Sequence, residues 1–159
     1  MVISYKPIGI IRSPFHNLEE MPIQPSSESS GLGTVEIYPE FVDGLKDLGG
    51  FSHIYLLYHF HKMRQSKLLV TPFLDTETHG VFATRAPSRP NPLGISLVKI
   101  VSLENNLIHV DHVDILDGTP LLDIKPYVPE FENARAVRIG WLENAKGQIR
   151  TRKSDERFS

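Results

Sequence analysis

The sequence predicts a mainly β fold: a single antiparallel or mixed β-barrel with one or two short helices and no Rossmann sheet. Short runs rich in Ile, Val, Leu, Phe and Tyr alternate with Gly, Pro, Asn and Asp, which is typical of strands and turns. The sequence also lacks the long helical patterns that separate the strands of parallel α/β folds, and closing a barrel removes exposed sheet edges. Its 159 residues, 40% of them hydrophobic, suit one packed core.

The predicted strands follow one another along the chain: Lys6–Arg12, Thr34–Tyr38, His53–His61, Lys67–Phe73, Val81–Arg85, Ile95–Leu103, Leu107–Val113, Leu121–Lys125 and Ala136–Leu142. Asn105–Asn106 predicts a tight hairpin between two of them, because Asn tolerates the positive φ angles of such turns. One short helix is predicted over Pro39–Leu48, where apolar residues recur until Gly49–Gly50 ends it. Its apolar stripe is expected to cover one end of the barrel.

The segment Ser13–Gly33 interrupts the strand pattern with three prolines and a serine-rich run. Compact domains seldom keep a connection of about twenty residues without a purpose. A binding loop and a disordered loop tip explain this composition equally well.

Composition and charge narrow the classes of protein. The net charge of −2 gives no overall attraction to nucleic acid, so any affinity for RNA must be local. Without cysteine there are no disulfides, thiolate metal sites or cysteine nucleophiles. The absence of a long apolar run predicts a cytoplasmic protein.

We expect one domain over residues 1–145, followed by a basic tail over residues 146–159. The cations of the tail lie in a stretch without acids: Lys146, Arg150, Arg152 and Lys153. Such a tail can contact phosphate, and it can equally be a solvated chain end.

The first candidate site is the loop that carries Arg85, Arg89 and Asn91. Prolines and a glycine are interleaved with these residues: Pro87, Pro90, Pro92 and Gly94. Because proline fixes the backbone, the loop can present its polar groups at a low entropic cost on binding. The planar guanidinium suits carboxylate or phosphate and can stack on a base. Alternatively, an arginine tethers the loop to its own carbonyl groups.

The second candidate is acidic and comprises Asp111, His112, Asp114 and Asp117. Strand alternation would place Asp111 on the face opposite to His112 and Asp114, so the four side chains cannot share one pocket. Because Asp117 precedes a glycine in a turn pattern, a structural role for it is at least as well supported as a catalytic one.

The third candidate comprises His53, His59 and His61, which share one face if Phe51–His61 is a regular strand. Histidines on one face suggest a metal. No further ligand completes a recognisable metal motif, so we expect no metal and a structural role for each histidine. A histidine-dependent metalloenzyme remains the least favoured alternative.

Four ordered blocks resemble the TsaA-like family, also called tRNA methyltransferase O. They are Ile8–Pro14 (IGIIRSP), Gly50–His61 (GFSHIYLLYHFH), Gly80–Ser96 (GVFATRAPSRPNPLGIS) and Asp114–Pro129 (DILDGTPLLDIKPYVP). The resemblance implies a β-barrel that binds S-adenosylmethionine without a Rossmann sheet, usually as a homodimer. It also implies methyl transfer to the N6 nitrogen of threonylcarbamoyladenosine beside the tRNA anticodon.

Carried over by position, the resemblance implies these cofactor-binding residues: Gln24, Pro25, Ser26, His61, Lys62, Arg85, Ile95, Asp111, His112, Val113 and Asp114. Arg89, Asn91 and Tyr127 are candidates for positioning the substrate, and the catalytic base stays unassigned. The family includes longer members with a C-terminal domain implicated in tRNA engagement, and the basic tail is expected to substitute for it in part. The main alternative function is a module that binds S-adenosylmethionine or tRNA without catalysis.

Overall fold

The computed structural model describes residues 1–20, 31–73 and 75–148, and its centre is a closed barrel of six antiparallel strands. Eight strands are present among the described residues, six of them in the barrel: β1 (Gly9–Arg12), β2 (Gly31–Ile37), β3 (His53–His59), β4 (Leu69–Val70), β5 (His79–Gly80), β6 (Leu93–Glu104), β7 (Leu107–Val113) and β8 (Thr119–Pro126). Around the barrel their order is β1, β2, β7, β6, β3 and β8, while β4 and β5 form a separate two-stranded sheet. The predicted fold class is confirmed.

The helical segments are short. One α-helix, α1, spans Pro129–Glu132, and 3-10 helices span Leu18–Glu20, Pro39–Leu45, Leu48–Gly50, Val81–Ala83 and Gly140–Gln148.

Alternation along β3 shows how the sequence builds the barrel wall. Ile54, Leu56 and Tyr58 point inward and are buried, while the residues between them are partly exposed. Burial of one such aliphatic side chain contributes about 1.5–3 kcal/mol. The inward rows of the six strands meet in one core. Side chains on the outer face are therefore left free to form a surface.

Two local predictions are confirmed. β6 and β7 form a hairpin in which Ile100 pairs with Val110, and Asn105 in the turn has φ 54°. The segment that begins at Pro39 is helical, although as a 3-10 helix that ends at Leu45. Its apolar side chains pack against the core, as expected for a plug at one barrel end: Phe41, Val42, Leu45 and Leu48.

Several predicted strands were wrong or too long: Lys6–Arg12 and His53–His61 extend beyond the observed Gly9–Arg12 and His53–His59, and three others differ more. Val81–Arg85 begins with a 3-10 turn, closed where the Thr84 hydroxyl donates to the Val81 carbonyl. Ala136–Leu142 is not a strand, because pairing between β1 and β8 closes the barrel and leaves no edge for another strand. Of Lys67–Phe73, only Leu69–Val70 pairs, with β5.

Candidate functional site

The candidate site is built around Asp114, a buried carboxylate at the end of β7. The Ser96 hydroxyl donates to Asp114 Oδ1 at 2.6 Å, and the Tyr58 hydroxyl lies 2.9 Å from Ser96 Oγ. Since the proton of Ser96 is already committed to Asp114, the Tyr58 hydroxyl donates to Ser96. The neighbouring elements β3, β6 and β7 thus assemble one hydrogen-bonded chain inside the barrel.

A bulge in β7 turns Asp114 inward. His112 has φ 66°, a left-handed conformation that costs energy for any residue with a Cβ, and the pairing with β2 shifts register between Gly31 and Gly33. Val113 and Asp114 are consequently both buried, whereas Asp111 and His112 lie near the solvent. Asp111 and Asp114 lie on opposite sides as predicted, but the expectation that His112 shares the face of Asp114 was wrong, because a bulge adds one residue to the strand.

The surroundings of Asp114 change its acidity. Burial raises the pKa of Asp114 to about 7, although the hydrogen bonds from Ser96 and the backbone and the charge of Arg85 act in the opposite direction. Burial, followed by the nearby carboxyl of Asp114, also raises the pKa of Tyr58 far above its ordinary value. The Tyr58 hydroxyl therefore stays protonated as a donor, while Asp114 changes charge near neutral pH.

Gly94 makes room for this arrangement. A Cβ at Gly94 would lie 2.9 Å from Phe60 Cζ and closer still to the ring of Tyr58. Tyr58 and Phe60 meet edge to face, with ring centroids 5.5 Å apart. Only glycine lets β6 approach these two rings, so it fixes the position of the Tyr58 hydroxyl.

The two arginines of the loop before β6, Arg85 and Arg89, have different surroundings. Arg89 Nη1 donates to the carbonyls of three loop residues: Val81 at 3.1 Å, Thr84 at 2.8 Å and Ala86 at 3.2 Å. Arg89 therefore tethers the loop to its own carbonyl groups, which is the alternative role considered for an arginine of this loop. Arg85 is exposed, and with the part of the chain that the structure describes it makes no hydrogen bond or ion pair. Its charge still acts on Asp114. Arg85 is thus the arginine available to a ligand.

A small open pocket of about 50 Å³ adjoins the buried chain of hydroxyls. Its lining residues are Leu18, Tyr58, Phe60, His61, Lys62, Pro87, Ile115, Leu116 and Thr119. Burial, followed by the charges of Lys62 and His59, lowers the pKa of His61. The pocket thus offers apolar walls, a neutral imidazole and one lysine at neutral pH. Two of the residues implied by the resemblance, His61 and Lys62, lie here.

Gln24, Pro25 and Ser26 lie outside the described residues, but both flanks of their segment are near the site. Leu18 lines the pocket, and Gly31 pairs with Val113, the neighbour of Asp114.

Other predicted site residues lie on the outside of the barrel. Ile95 is 47% exposed on β6, and Asn91 is exposed in the loop. Tyr127 follows β8 and contacts His53 and Tyr55. Asp117 accepts a hydrogen bond from the backbone N–H of Ser13 at 3.0 Å, which is a structural task.

The three histidines do not form a cluster. His53 Nδ1 lies 2.8 Å from Ser52 Oγ, and His61 lines the pocket. Within residues 1–20, 31–73 and 75–148, no three side chains of His, Asp or Glu come together in a way that could hold a metal ion.

Sequence reasoning missed Ser96 and Tyr58. Both are polar residues at inward positions of strands that are otherwise apolar on that face. Buried hydroxyls require partners, so a polar residue in phase with core residues is the signal that would have found them.

Fold and site define a class: a small closed β-barrel with an open pocket, a buried carboxylate and an arginine loop. The chain belongs to the tRNA-methyltransferase O family, because the model of that family's N-terminal domain matches residues 10–133. The resemblance seen in the sequence is confirmed.

Several relatives support this membership. A probable S-adenosyl-L-methionine-binding protein of Pyrococcus abyssi is 55% identical over 99% of this chain and 86% of its own length. A mouse tRNA (adenine(37)-N6)-methyltransferase is 33% identical over 84% of this chain. The crystal structure of TrmO from Pseudomonas aeruginosa matches 90% of this chain, with a TM-score of 0.72 and 38% identity. The chain spans 62% of that solved chain and 33% of the mouse protein.

Among the described residues, no helix has the length and apolar character needed to cross a membrane.

Proposed function

We propose that this protein is an S-adenosylmethionine-dependent methyltransferase that modifies the N6 nitrogen of an adenine in tRNA. The observation that carries the proposal is the buried Asp114, linked through Ser96 to the Tyr58 that lines an open pocket, together with an exposed Arg85 that has no partner among the described residues, in a chain of this family. The names of the mouse and Pyrococcus relatives support the tRNA substrate and the cofactor, respectively. We further propose that the adenine carries a threonylcarbamoyl group and lies beside the anticodon.

The residues present fit S-adenosylmethionine. That molecule has a cationic sulfonium and ammonium and an anionic carboxylate. A buried carboxylate with a pKa of about 7 gains most from a cation placed beside it, because the cation offsets the cost of desolvation. The planar guanidinium of Arg85 can bind a carboxylate through two hydrogen bonds. His61, Lys62 and the apolar pocket wall would surround the remainder.

When bound, S-adenosylmethionine would supply an electrophilic methyl group: the nitrogen lone pair forms the new N–C bond, the electrons of the broken C–S bond stay on the now neutral sulfur, and the proton of the nitrogen passes to water. The protein's own residues act by binding and alignment. Asp114 would hold a cationic group, Arg85 a carboxylate of cofactor or substrate, and Arg89 the loop that carries Arg85. Alignment of two reactants can supply much of the acceleration in such a transfer.

Arg89, Asn91 and Tyr127 remain candidates for positioning the substrate. Arg89 would act through the loop, because its Nη1 already binds three carbonyls. Asn91 is exposed at the start of β6 and can reach a bound ligand directly. We also propose that the tail over residues 146–159 contacts tRNA phosphates, while residues 1–145 form the catalytic barrel.

We propose that the protein acts in the cytoplasm, where its proposed tRNA substrate is found. We also propose that it forms a homodimer. An apolar patch supports the dimer: Leu68 and Leu69 are 66% and 67% exposed, and Phe82 is 75% exposed. The three are neighbours, because β4 pairs with β5 and the Val81 N–H donates to the Leu68 carbonyl. Exposed apolar patches of this kind mark protein interfaces. Leu69→Glu should convert the dimer to a monomer in sedimentation experiments, and an unchanged mass would contradict the assignment.

The proposal is tested with methyl-labelled S-adenosylmethionine and total tRNA from cells that carry the threonylcarbamoyl modification. Wild type should transfer label to tRNA, whereas Arg85→Ala should lose most of the transfer and of the cofactor binding seen by calorimetry. Arg64→Ala, an exposed arginine outside the site, serves as the matched control. Cofactor binding without any transfer would favour a non-catalytic binding module instead.

A further inference from the structure

A row of three aromatic rings lies on the outer face of the barrel, apart from the pocket. His53 and Tyr55 are neighbours on the outward side of β3. Tyr127 comes directly after β8, and its ring contacts both of them. The ring centroids of His53 and Tyr127 are 6.3 Å apart, and those of Tyr55 and Tyr127 are 5.9 Å apart. Both pairs meet edge to face, so the rings do not stack on each other. All three side chains are half-buried, with one side open to solvent. We call these three residues the aromatic row.

Exposed cations surround the aromatic row. Lys99 pairs across the sheet with His53, and Lys125 pairs with Tyr55, so each lysine emerges on the same side as its aromatic partner. The charge of Arg85 also acts on Tyr55.

Among the described residues, three acids lie beside these cations and the aromatic row, and Asp111 pairs across the sheet with Lys99. Asp123 lies 3.0 Å from Lys125, and Glu132 accepts a hydrogen bond from the Tyr55 hydroxyl at 3.2 Å. The three acids offset the charges of Lys99, Lys125 and Arg85, so the cations contribute through their positions along the aromatic row and not through a net positive charge.

We propose that the aromatic row is a stacking platform for unpaired bases of a single-stranded RNA segment. Proteins that bind single strands combine aromatic rings, on which bases stack, with cations that follow the phosphates, and small β-barrels use an outer sheet face for this purpose. The platform rests on the proposed function and deepens it, because it assigns the part of the tRNA that is held: the unpaired loop beside the target adenine.

Arg85 connects this platform to the pocket. Its charge acts on Tyr55 on the outside of the barrel and on Asp114 and Tyr58 inside it. A strand of RNA laid over the aromatic row would therefore come within electrostatic range of Arg85.

The test measures binding of a short, fluorescently labelled single-stranded RNA and of its duplex by anisotropy over a range of salt concentrations. Tyr55→Ala and Tyr127→Ala should each weaken single-strand binding about tenfold, which corresponds to about 1.4 kcal/mol. Tyr127→Phe should bind as wild type does, because the ring remains. Tyr5→Ala removes a 74% exposed tyrosine elsewhere and is the matched control.

The salt dependence separates rings from charges. Lys99→Ala and Lys125→Ala should lower the slope of log affinity against log salt by about 0.7 each, whereas the tyrosine variants should leave that slope unchanged. Thermal melting of every variant shows whether it is folded. If an alanine variant does not fold, the lysine variants and Tyr127→Phe still test the platform.

The platform is overturned if the alanine variants bind the single strand as wild type does, if Tyr127→Phe loses as much as Tyr127→Ala, or if duplex binding falls equally. It is also overturned if wild type binds no single strand, in which case the row is a contact for a protein. Methylation assays distinguish the two proposals. An unchanged KM for tRNA in both alanine variants would refute the platform and leave the function intact. An inactive wild type that still needs both rings to bind RNA would refute the function and leave the platform intact.

Discussion

Replacing Asp114 with asparagine should make the protein more stable at high pH. Asp114 has a pKa of about 7 in the folded protein against an ordinary value of 3.8. The difference of about 3, multiplied by 1.36 kcal/mol per pKa unit, gives about 4 kcal/mol. Because the folded pKa is the higher one, the favourable contribution is complete below about pH 4 and is lost as the pH rises through about 7. Asparagine cannot ionise, so it avoids this loss.

The assay is urea unfolding of wild type and Asp114→Asn at about pH 4 and pH 8. The asparagine oxygen still accepts from Ser96, so the two proteins should be similar in stability at low pH. Relative to wild type, the variant should gain up to about 4 kcal/mol between the two pH values. Comparing the two proteins at each pH removes the contributions of all other titrating groups.

Asp123→Asn, which removes an exposed carboxylate paired with Lys125, is the control and should change stability by less than about 1 kcal/mol at either pH. A difference between wild type and Asp114→Asn that does not depend on pH would refute the argument from burial. The more stable variant should also bind S-adenosylmethionine poorly, since functional sites often retain groups that reduce stability.

Three further predictions concern other parts of the site. Gly94→Ala should lower the free energy of unfolding by about 1–3 kcal/mol, because the added Cβ would collide with Tyr58. Gly44→Ala is the control and should leave that free energy unchanged, since a Cβ there meets nothing within 4 Å. Equal urea midpoints for the two variants would refute this prediction. The affinity for S-adenosylmethionine, measured by calorimetry, should rise up to tenfold per pH unit below about pH 7 as Asp114 loses its proton, and level off above that pH. Asp114→Asn should abolish this pH dependence. If the pH dependence persists in the variant, Asp114 is not its cause. Deleting residues 146–159 should reduce tRNA affinity and its salt sensitivity, and identical filter-binding curves at several salt concentrations would contradict the proposed phosphate contacts.

Much of the barrel could be predicted from the sequence, because its strands follow simple rules. Alternating apolar residues place the inward row of β3, and the two asparagines at the β6–β7 turn fix a hairpin with φ 54° at Asn105. The strand predicted over Ala136–Leu142 failed because strand propensity is local, whereas the number of strands that a barrel accepts depends on closure between β1 and β8.

The candidate site was less accessible to sequence reasoning for a similar reason. The arginine loop could be found, but only three-dimensional contacts separate Arg89, which binds carbonyls, from Arg85, which does not. Asp114 was singled out, yet its burial depends on the bulge at His112, and bulges break the alternation on which strand predictions rest. Ser96 became part of the site only through its hydrogen bond to Asp114.

The central claim, methylation of a modified adenine in tRNA, is tested most directly with two tRNA pools. One pool carries the threonylcarbamoyl modification and the other comes from cells unable to make it. Each is incubated with the protein and methyl-labelled S-adenosylmethionine, digested to nucleosides and analysed by mass spectrometry. We predict one labelled product, N6-methylated threonylcarbamoyladenosine, from the modified pool alone. Label in neither pool, or equal label on unmodified adenosine in both, would contradict the account.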